Sequence, residues 1–131
     1  MSLIDPKVTQ QLAKKLIADE AQAVADLLPR INDNFVAASE MLLNISGRIV
    51  VIGIGKSGHI SRKIAATMAS TGSPAFFVSA AEASHGDLGM ICKDDAVIML
   101  SNSGESQELL TLLSALKAMN CPIVTLTGSL D

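Results

Sequence analysis

Apolar residues recur at helical spacing through Val8, Leu12, Leu16, Val24, Leu27 and Leu28. Asp5 and Pro6 stand in front of them as a cap followed by proline at the first helical position, so a helix is predicted to about Pro29. A second helical stripe, Ile31, Phe35, Ala38, Leu42 and Ile45, is predicted to stop at Gly47. Both helices are expected to offer packing surface. Beyond them the period changes. Residues 48–53, 75–79, 96–101 and 122–127 are short β-branched or wholly apolar runs, separated by helix-like stretches. The predicted order is ααβαβαβαβ. Strands buried on both faces and alternating with helices specify an α/β fold with a parallel sheet and right-handed crossovers, whose ligands collect at the carboxyl ends of the strands.

Composition narrows the function. At 131 residues, with no internal repeat, low-complexity tract or linker, one domain is expected. Aromatic residues amount to three Phe, without Trp or Tyr, which leaves few surfaces on which bases could stack. The formal charge of -3 supplies no basic face, so nucleic acid is not an expected partner. Asp5, Pro6 and Lys7 interrupt any signal-peptide core within residues 1–11, and no later run is apolar enough to span a bilayer. A cytoplasmic protein without a membrane partner is expected. Cys92 and Cys121 lack CxxC spacing and read as buried, reduced thiols. With only His59 and His85 as histidines, no metal site and no cofactor are expected.

The candidate chemistry lies in two glycine-serine loops, Gly53-Ile-Gly55-Lys56-Ser57-Gly58-His59 and Ser101-Asn102-Ser103-Gly104-Glu105-Ser106. Each follows an apolar run and opens an amphipathic stretch. Small residues there admit a ligand close to the backbone, and helix-start N–H groups with the helix dipole favour a phosphate. The first loop satisfies GxGxxG, but its second strand ends at Val78-Ser79-Ala80 and the nearest acid, Glu82, lies past it, so the ribose partner of a dinucleotide site is missing. A Walker A loop fails because Val50 stands where its first glycine belongs. A blander reading competes for each residue. Ser103 or Ser106 is then an ordinary N-cap, Lys56 a phosphate counter-charge, Glu105 a dipole-matched carboxylate and His85 a hydrogen-bonded loop residue.

The strings Val51-Ile52-Gly53-Ile54-Gly55-Lys56-Ser57-Gly58-His59, Ala69-Ser70-Thr71-Gly72, Glu82-Ala83-Ser84-His85-Gly86-Asp87-Leu88-Gly89-Met90 and Ser101-Asn102-Ser103-Gly104-Glu105-Ser106 resemble the sugar isomerase (SIS) domain, most closely its arabinose-5-phosphate isomerase members. The resemblance covers roughly residues 47–128. It implies a three-layer α-β-α sandwich with a flavodoxin-like parallel sheet, a sugar phosphate ligand and a homotetramer. It also implies interconversion of D-arabinose 5-phosphate and D-ribulose 5-phosphate for 3-deoxy-manno-octulosonate and lipopolysaccharide synthesis. Carried over by position, Gly55, Ser57, Ser101, Asn102, Ser103 and Ser106 hold the phosphate, and Lys56, His85 and Glu105 face the reacting carbons. Glu105 is then the first candidate for the base, Lys56 the oxyanion stabiliser and His85 a helper in ring opening. His59 is assigned instead to packing or capping, and Met68, Met90 and Met99 to the core.

The resemblance divides the chain into an N-terminal helical part, 1–46, and an α/β core, 47–131, that reads as truncated at the C-terminus and without CBS modules. Residues 127–131 look like the start of a further turn into a helix, so weak or absent turnover by this chain alone is expected. Two other functions remain open: a non-catalytic SIS module that senses sugar phosphates, and an isomerase for another phosphosugar such as sedoheptulose 7-phosphate.

Overall fold

The computed structural model describes residues 5–129. The remaining positions of the signal-peptide reading, 1–4, and of the C-terminal turn, 130–131, lie outside the described residues. The chain divides into two compact units, one through Ser39 and one from Glu40.

In the first unit, helix α1 spans Pro6–Ala25. Asp5 caps it, its Oδ1 accepting the Lys7 N–H at 2.8 Å, with Pro6 at the first helical position as the sequence predicts. It stops earlier than expected and gives way to a single 3-10 turn, Leu28–Arg30. Pro29 explains the break, because it has no N–H to donate and disfavours helical backbone at the residue before it. Helix α2 runs Asp33–Leu43. It starts two residues later than its apolar stripe because the Asn32 side chain accepts the Asn34 N–H at 3.0 Å. No residue of α1 is buried, and Leu12, Leu16, Val24 and Leu28 are each at least 60% exposed.

The second unit is a parallel sheet with helices on both faces. Strand β1 (Ile49–Gly53) leads into α3 (Gly55–Ser70), then β2 (Ala75–Ser79), α4 (Ala80–Ala83), β3 (Ala96–Ser101), α5 (Gln107–Ala118) and β4 (Ile123–Thr127). The predicted order holds, although the β2–β3 connection carries only the one-turn α4 and a 3-10 turn, Asp87–Met90. Strand order is β2-β1-β3-β4, all parallel. Val50, Ile52, Val97 and Met99 point to one face and pack with Ala83, Leu109, Leu112 and Leu116 of α4 and α5. Ile49, Val51, Ile98 and Leu100 point to the other and pack with Ala65 of α3, joined by Leu42, Ile45, Met68 and Phe77. Alternate residues thus serve opposite layers, which is why these runs are apolar throughout.

The amino end of the sheet is fastened by one buried carboxylate. Asp95, 2% exposed, accepts the Arg48 N–H at 2.7 Å, the Cys92 N–H at 2.9 Å and the Arg48 guanidinium at 3.1 Å. The same guanidinium donates to the Met90 carbonyl and lies 4.6 Å from the centroid of Phe76. A Cβ on Gly47 would come 2.4 Å from the Asp94 carbonyl oxygen and 2.6 Å from Asp95 Oδ1. Gly47 is needed for this close approach; α2 has already ended at Leu43.

Three expectations about single side chains are corrected. Cys92 is exposed and only Cys121 is buried, because the Cys92 side chain turns out toward Arg48 while its carbonyl accepts the Cys121 thiol. Met90 is 48% exposed at the end of the 3-10 turn, whereas Met68 and Met99 do pack in the core. His59 is exposed on α3, whose N-cap has no side-chain hydrogen bond, so it neither packs inside nor caps.

Burial pushes the Asp95 carboxyl up, but hydrogen bonds from the Cys92 and Arg48 backbones and the Arg48 guanidinium outweigh it and hold the group below its ordinary value. A depressed carboxylate contributes stability that is complete above its unfolded pKa of about 3.9 and is lost as pH falls through the folded value. Asp95→Asn is expected to lower stability by about 1.5–3 kcal/mol at neutral pH. The deficit should shrink at an acid pH below the folded value of Asp95, where both proteins carry a neutral side chain. Urea unfolding at the two pH values checks this, and equal stability at neutral pH would refute it.

The carboxyl end of β1 is as tightly built. A Cβ on Gly53 would lie 2.5 Å from Ser61 Oγ and 2.9 Å from the Ser57 carbonyl oxygen. Gly53→Ala is therefore expected to cost about 1–3 kcal/mol by overpacking. Adding Ser61→Gly should recover part of the loss and no more, since the Ser57 backbone stays in place. Full recovery in thermal melts would place the clash on Ser61 alone.

Candidate functional site

The order β2-β1-β3-β4 sends the chain outward from β1 to one side and, after β2, back across to β3 on the other. The loops leaving β1 and β3 therefore diverge at adjacent strand ends, and an open parallel sheet forms its ligand crevice at that point. Both glycine-serine loops lie there.

The loop after β1 is a single residue, Ile54, before α3 begins at Gly55. Gly55 has φ +55°, with open space where a Cβ would stand, so the requirement is on the backbone conformation. Gly58 serves packing instead: a Cβ there would come 3.3 Å from the Gly53 carbonyl oxygen. This close seating of α3 on β1 carries Lys56 and Ser57 to the rim, Lys56 exposed and Ser57 half-buried.

The loop after β3 folds on its own hydroxyls. Ser101 Oγ accepts the Gly104 N–H at 3.0 Å and lies 3.5 Å from Ser106 Oγ. Ser103 Oγ accepts the Glu105 N–H at 3.2 Å. Gly104 has φ +76°, which closes the turn. Ser106 is the N-cap of α5 by position, without a side-chain cap hydrogen bond. Its hydroxyl faces Ser101 rather than the helix. The carboxylates of Glu105 and, in the first turn of α5, Glu108 are exposed.

A cleft of about 410 Å³ joins the two loops. Lys56 and Ser57 line it from one side, Ser101 and Asn102 from the other, with apolar surface from Ile60, Leu100 and Leu126. Four of the nine residues singled out from the sequence thus line one cavity. Ser106 joins them through its contact with Ser101. Gly55, Ser103, Glu105 and His85 are not among the lining residues. His85 is exposed in the turn after α4, its N–H donating to the Glu82 carbonyl at 2.9 Å. Of the chemistry a carbon-bound proton transfer needs, this cleft brings together a cationic ammonium and hydroxyl and amide donors.

Two features of the rim escaped the sequence reading. Thr127 and Gly128, at the end of β4, form a third wall of the cleft. The Gly128 N–H donates to the Asn102 carbonyl at 3.1 Å, tying the two loops together. The available signal was positional, since residues 127–129 follow the fourth strand as the serine loop follows the third. Beneath the first loop, Ser61 Oγ is fully buried without a hydrogen-bond partner.

The SIS domain family matches residues 42–131. Among curated proteins the chain is 56% identical over 117 residues to arabinose 5-phosphate isomerase KdsD of Pseudomonas aeruginosa, covering 89% of this chain and 36% of that protein. It is 50% identical over 119 residues to the protein of the same name from Escherichia coli K12, covering 91% and 36%. The chain spans little more than a third of the length of these relatives. A solved structure of an Escherichia coli CFT073 protein in complex with arabinose 5-phosphate superposes with a TM-score of 0.90 at 44% identity, covering 96% of this chain and 67% of that one. With the family matching most of its length, the chain belongs to the SIS domain family.

Proposed function

We propose that the chain is the sugar-phosphate-binding isomerase domain of an arabinose-5-phosphate isomerase, acting between D-arabinose 5-phosphate and D-ribulose 5-phosphate. The observation that carries this reading is the convergence of Lys56 and Ser57 with Ser101 and Asn102 on one cleft at the sheet's switch point. The names of the relatives, and the arabinose 5-phosphate in the Escherichia coli structure, support the choice of sugar. Within this reading the protein is a cytoplasmic homotetramer that supplies 3-deoxy-manno-octulosonate and lipopolysaccharide synthesis. No helix of the described residues is long and apolar enough to cross a membrane.

The phosphate is held by Ser57, Ser101, Asn102, Ser103 and Ser106, with Gly55 giving the backbone room to approach. Aldose-ketose exchange moves a proton between C1 and C2 through an enediol. It requires a base at the carbon-bound proton and a donor at the carbonyl oxygen. Lys56 supplies the donor, and its charge offsets the oxyanion that develops there. Glu105 is the base, and His85 transfers protons at the ring oxygen and hydroxyls.

Calorimetry with arabinose 5-phosphate and arabinose is expected to show binding of the phosphorylated sugar alone. Ser57→Ala should weaken that binding about tenfold or more while leaving the melting temperature unchanged, as loss of a hydrogen bond to a charged group predicts. Equal affinity for the two sugars would overturn the reading.

Glu105→Gln keeps the shape of the side chain but cannot accept a proton. In a protein long enough to turn over substrate, it should leave arabinose 5-phosphate binding within about threefold and lower the isomerase rate about a hundredfold or more. Exchange of the C2 proton in deuterium oxide that persists in this variant would move the base to His85 or to Glu108.

A further inference from the structure

Strands β3 and β4 run parallel with Ser101 directly opposite Thr127, and each is the last residue of its strand. Opposed residues of neighbouring strands send their side chains to the same face, with the strands about 4.8 Å apart. The two hydroxyls are treated alike by their own loops. Ser101 Oγ accepts the N–H of Gly104 at 3.0 Å, and Thr127 Oγ1 accepts the N–H of Ser129 at 3.2 Å. A hydroxyl has one proton to give and two lone pairs. With one lone pair turned to the loop, each hydroxyl keeps its proton for another partner, and both residues border the cleft that holds Lys56 and Ser57 as well as the adjoining cavity of about 280 Å³ beside α5, which Gly104 and Ser129 also line. Thr127 is half-buried and lies beside Gly104, where a Cβ would stand in contact at 3.4 Å from Thr127 Oγ1. The Gly128 N–H bond to the Asn102 carbonyl fixes the spacing between the two strand ends.

We propose that Thr127 is a ligand-binding residue whose hydroxyl donates, beside that of Ser101, to the phosphate group of the bound sugar phosphate. The proposal rests on the sugar-phosphate reading of the cleft and adds a third strand end to it. A phosphate dianion offers acceptors only, which suits a pair of hydroxyls that each already accept one loop N–H and have a proton to give. Two donors about one strand spacing apart can each reach a different oxygen of one phosphoryl group.

The test is calorimetry on the whole chain with arabinose 5-phosphate, arabinose and inorganic phosphate as probes. Thr127→Val should weaken both phosphate-bearing probes about tenfold or more, and Thr127→Ser should restore them to within about threefold of the unaltered chain. Ser129→Pro removes the N–H that Thr127 accepts but leaves the hydroxyl. It should bind within about threefold of the unaltered chain, because the loop bond orients the hydroxyl and does not itself hold the ligand. A loss in Ser129→Pro as large as in Thr127→Val would reduce Thr127 to a loop fastener and overturn the proposal. Unchanged binding in Thr127→Val would overturn it directly. If the unaltered chain binds inorganic phosphate but not arabinose 5-phosphate, the isomerase reading falls while Thr127 is still judged on phosphate. Binding of neither removes both.

Discussion

Everything at the rim depends on how closely α3 sits on the end of β1. Gly53 and Gly58 face each other across that contact without side chains, and the Ser57 carbonyl occupies the space a Gly53 Cβ would need. One added methyl would push the helix away from the sheet. Lys56 and Ser57 lie in its first turn, so their position over the cleft is set by backbone packing and not by their own hydrogen bonds. The first loop is closely packed for this reason. The second reaches its shape differently, through Ser101 and Ser103 accepting the N–H groups of Gly104 and Glu105. One wall of the site is therefore built by the absence of side chains and the other by side chains folding onto their own backbone.

The amino end of the sheet is anchored by charge instead. Asp95 gathers the backbone N–H groups of Arg48 and Cys92 and the Arg48 guanidinium. Each partner strengthens the others, since a buried carboxylate is costly unless every lone pair is used. The arrangement draws the start of β1 and the turn before β3 to one point. The central strand pair is thus fastened at the end away from the cleft, which leaves the carboxyl rim free of structural ion pairs among the described residues.

Much of this was legible in the sequence because it depends on local periodicity and on contacts that glycine and serine announce. The strands from Ala75 and Ala96 begin and end where the apolar runs do, and the parallel architecture follows from runs with no polar alternation. Helix ends were harder. Pro29 breaks α1 through its missing N–H, and Asn32 delays α2 through a side-chain bond, while a periodicity argument sees only the apolar stripe. Asp95 and Thr127 were invisible for another reason. Lys93-Asp94-Asp95 reads as a solvated turn until the fold brings Arg48 to it, and Thr127 gains meaning only once β4 lies in register with β3. Residues that act through partners distant in sequence carry no local signal. Met90 and Cys92 were assigned inward by residue type and His59 to packing or capping, where the turn or helix face directs each of them out.

The central strand also sets the order in which the domain can assemble. Ile49 pairs with Ala75 on one side and Ala96 on the other, so neither edge of β1 is satisfied until chain well beyond it has been made. Long-range parallel pairing is slow, because loop closure must precede any reward from contact. During synthesis the run Ile49-Val50-Val51-Ile52 waits with both faces apolar and both edges open, as does Ala96 to Leu100 after it. Such segments are prone to pair with copies of themselves. Arg48 at the start of the first run and Lys93, Asp94 and Asp95 just before the second place charge at their entrances, which discourages that pairing before the same residues lock the finished sheet.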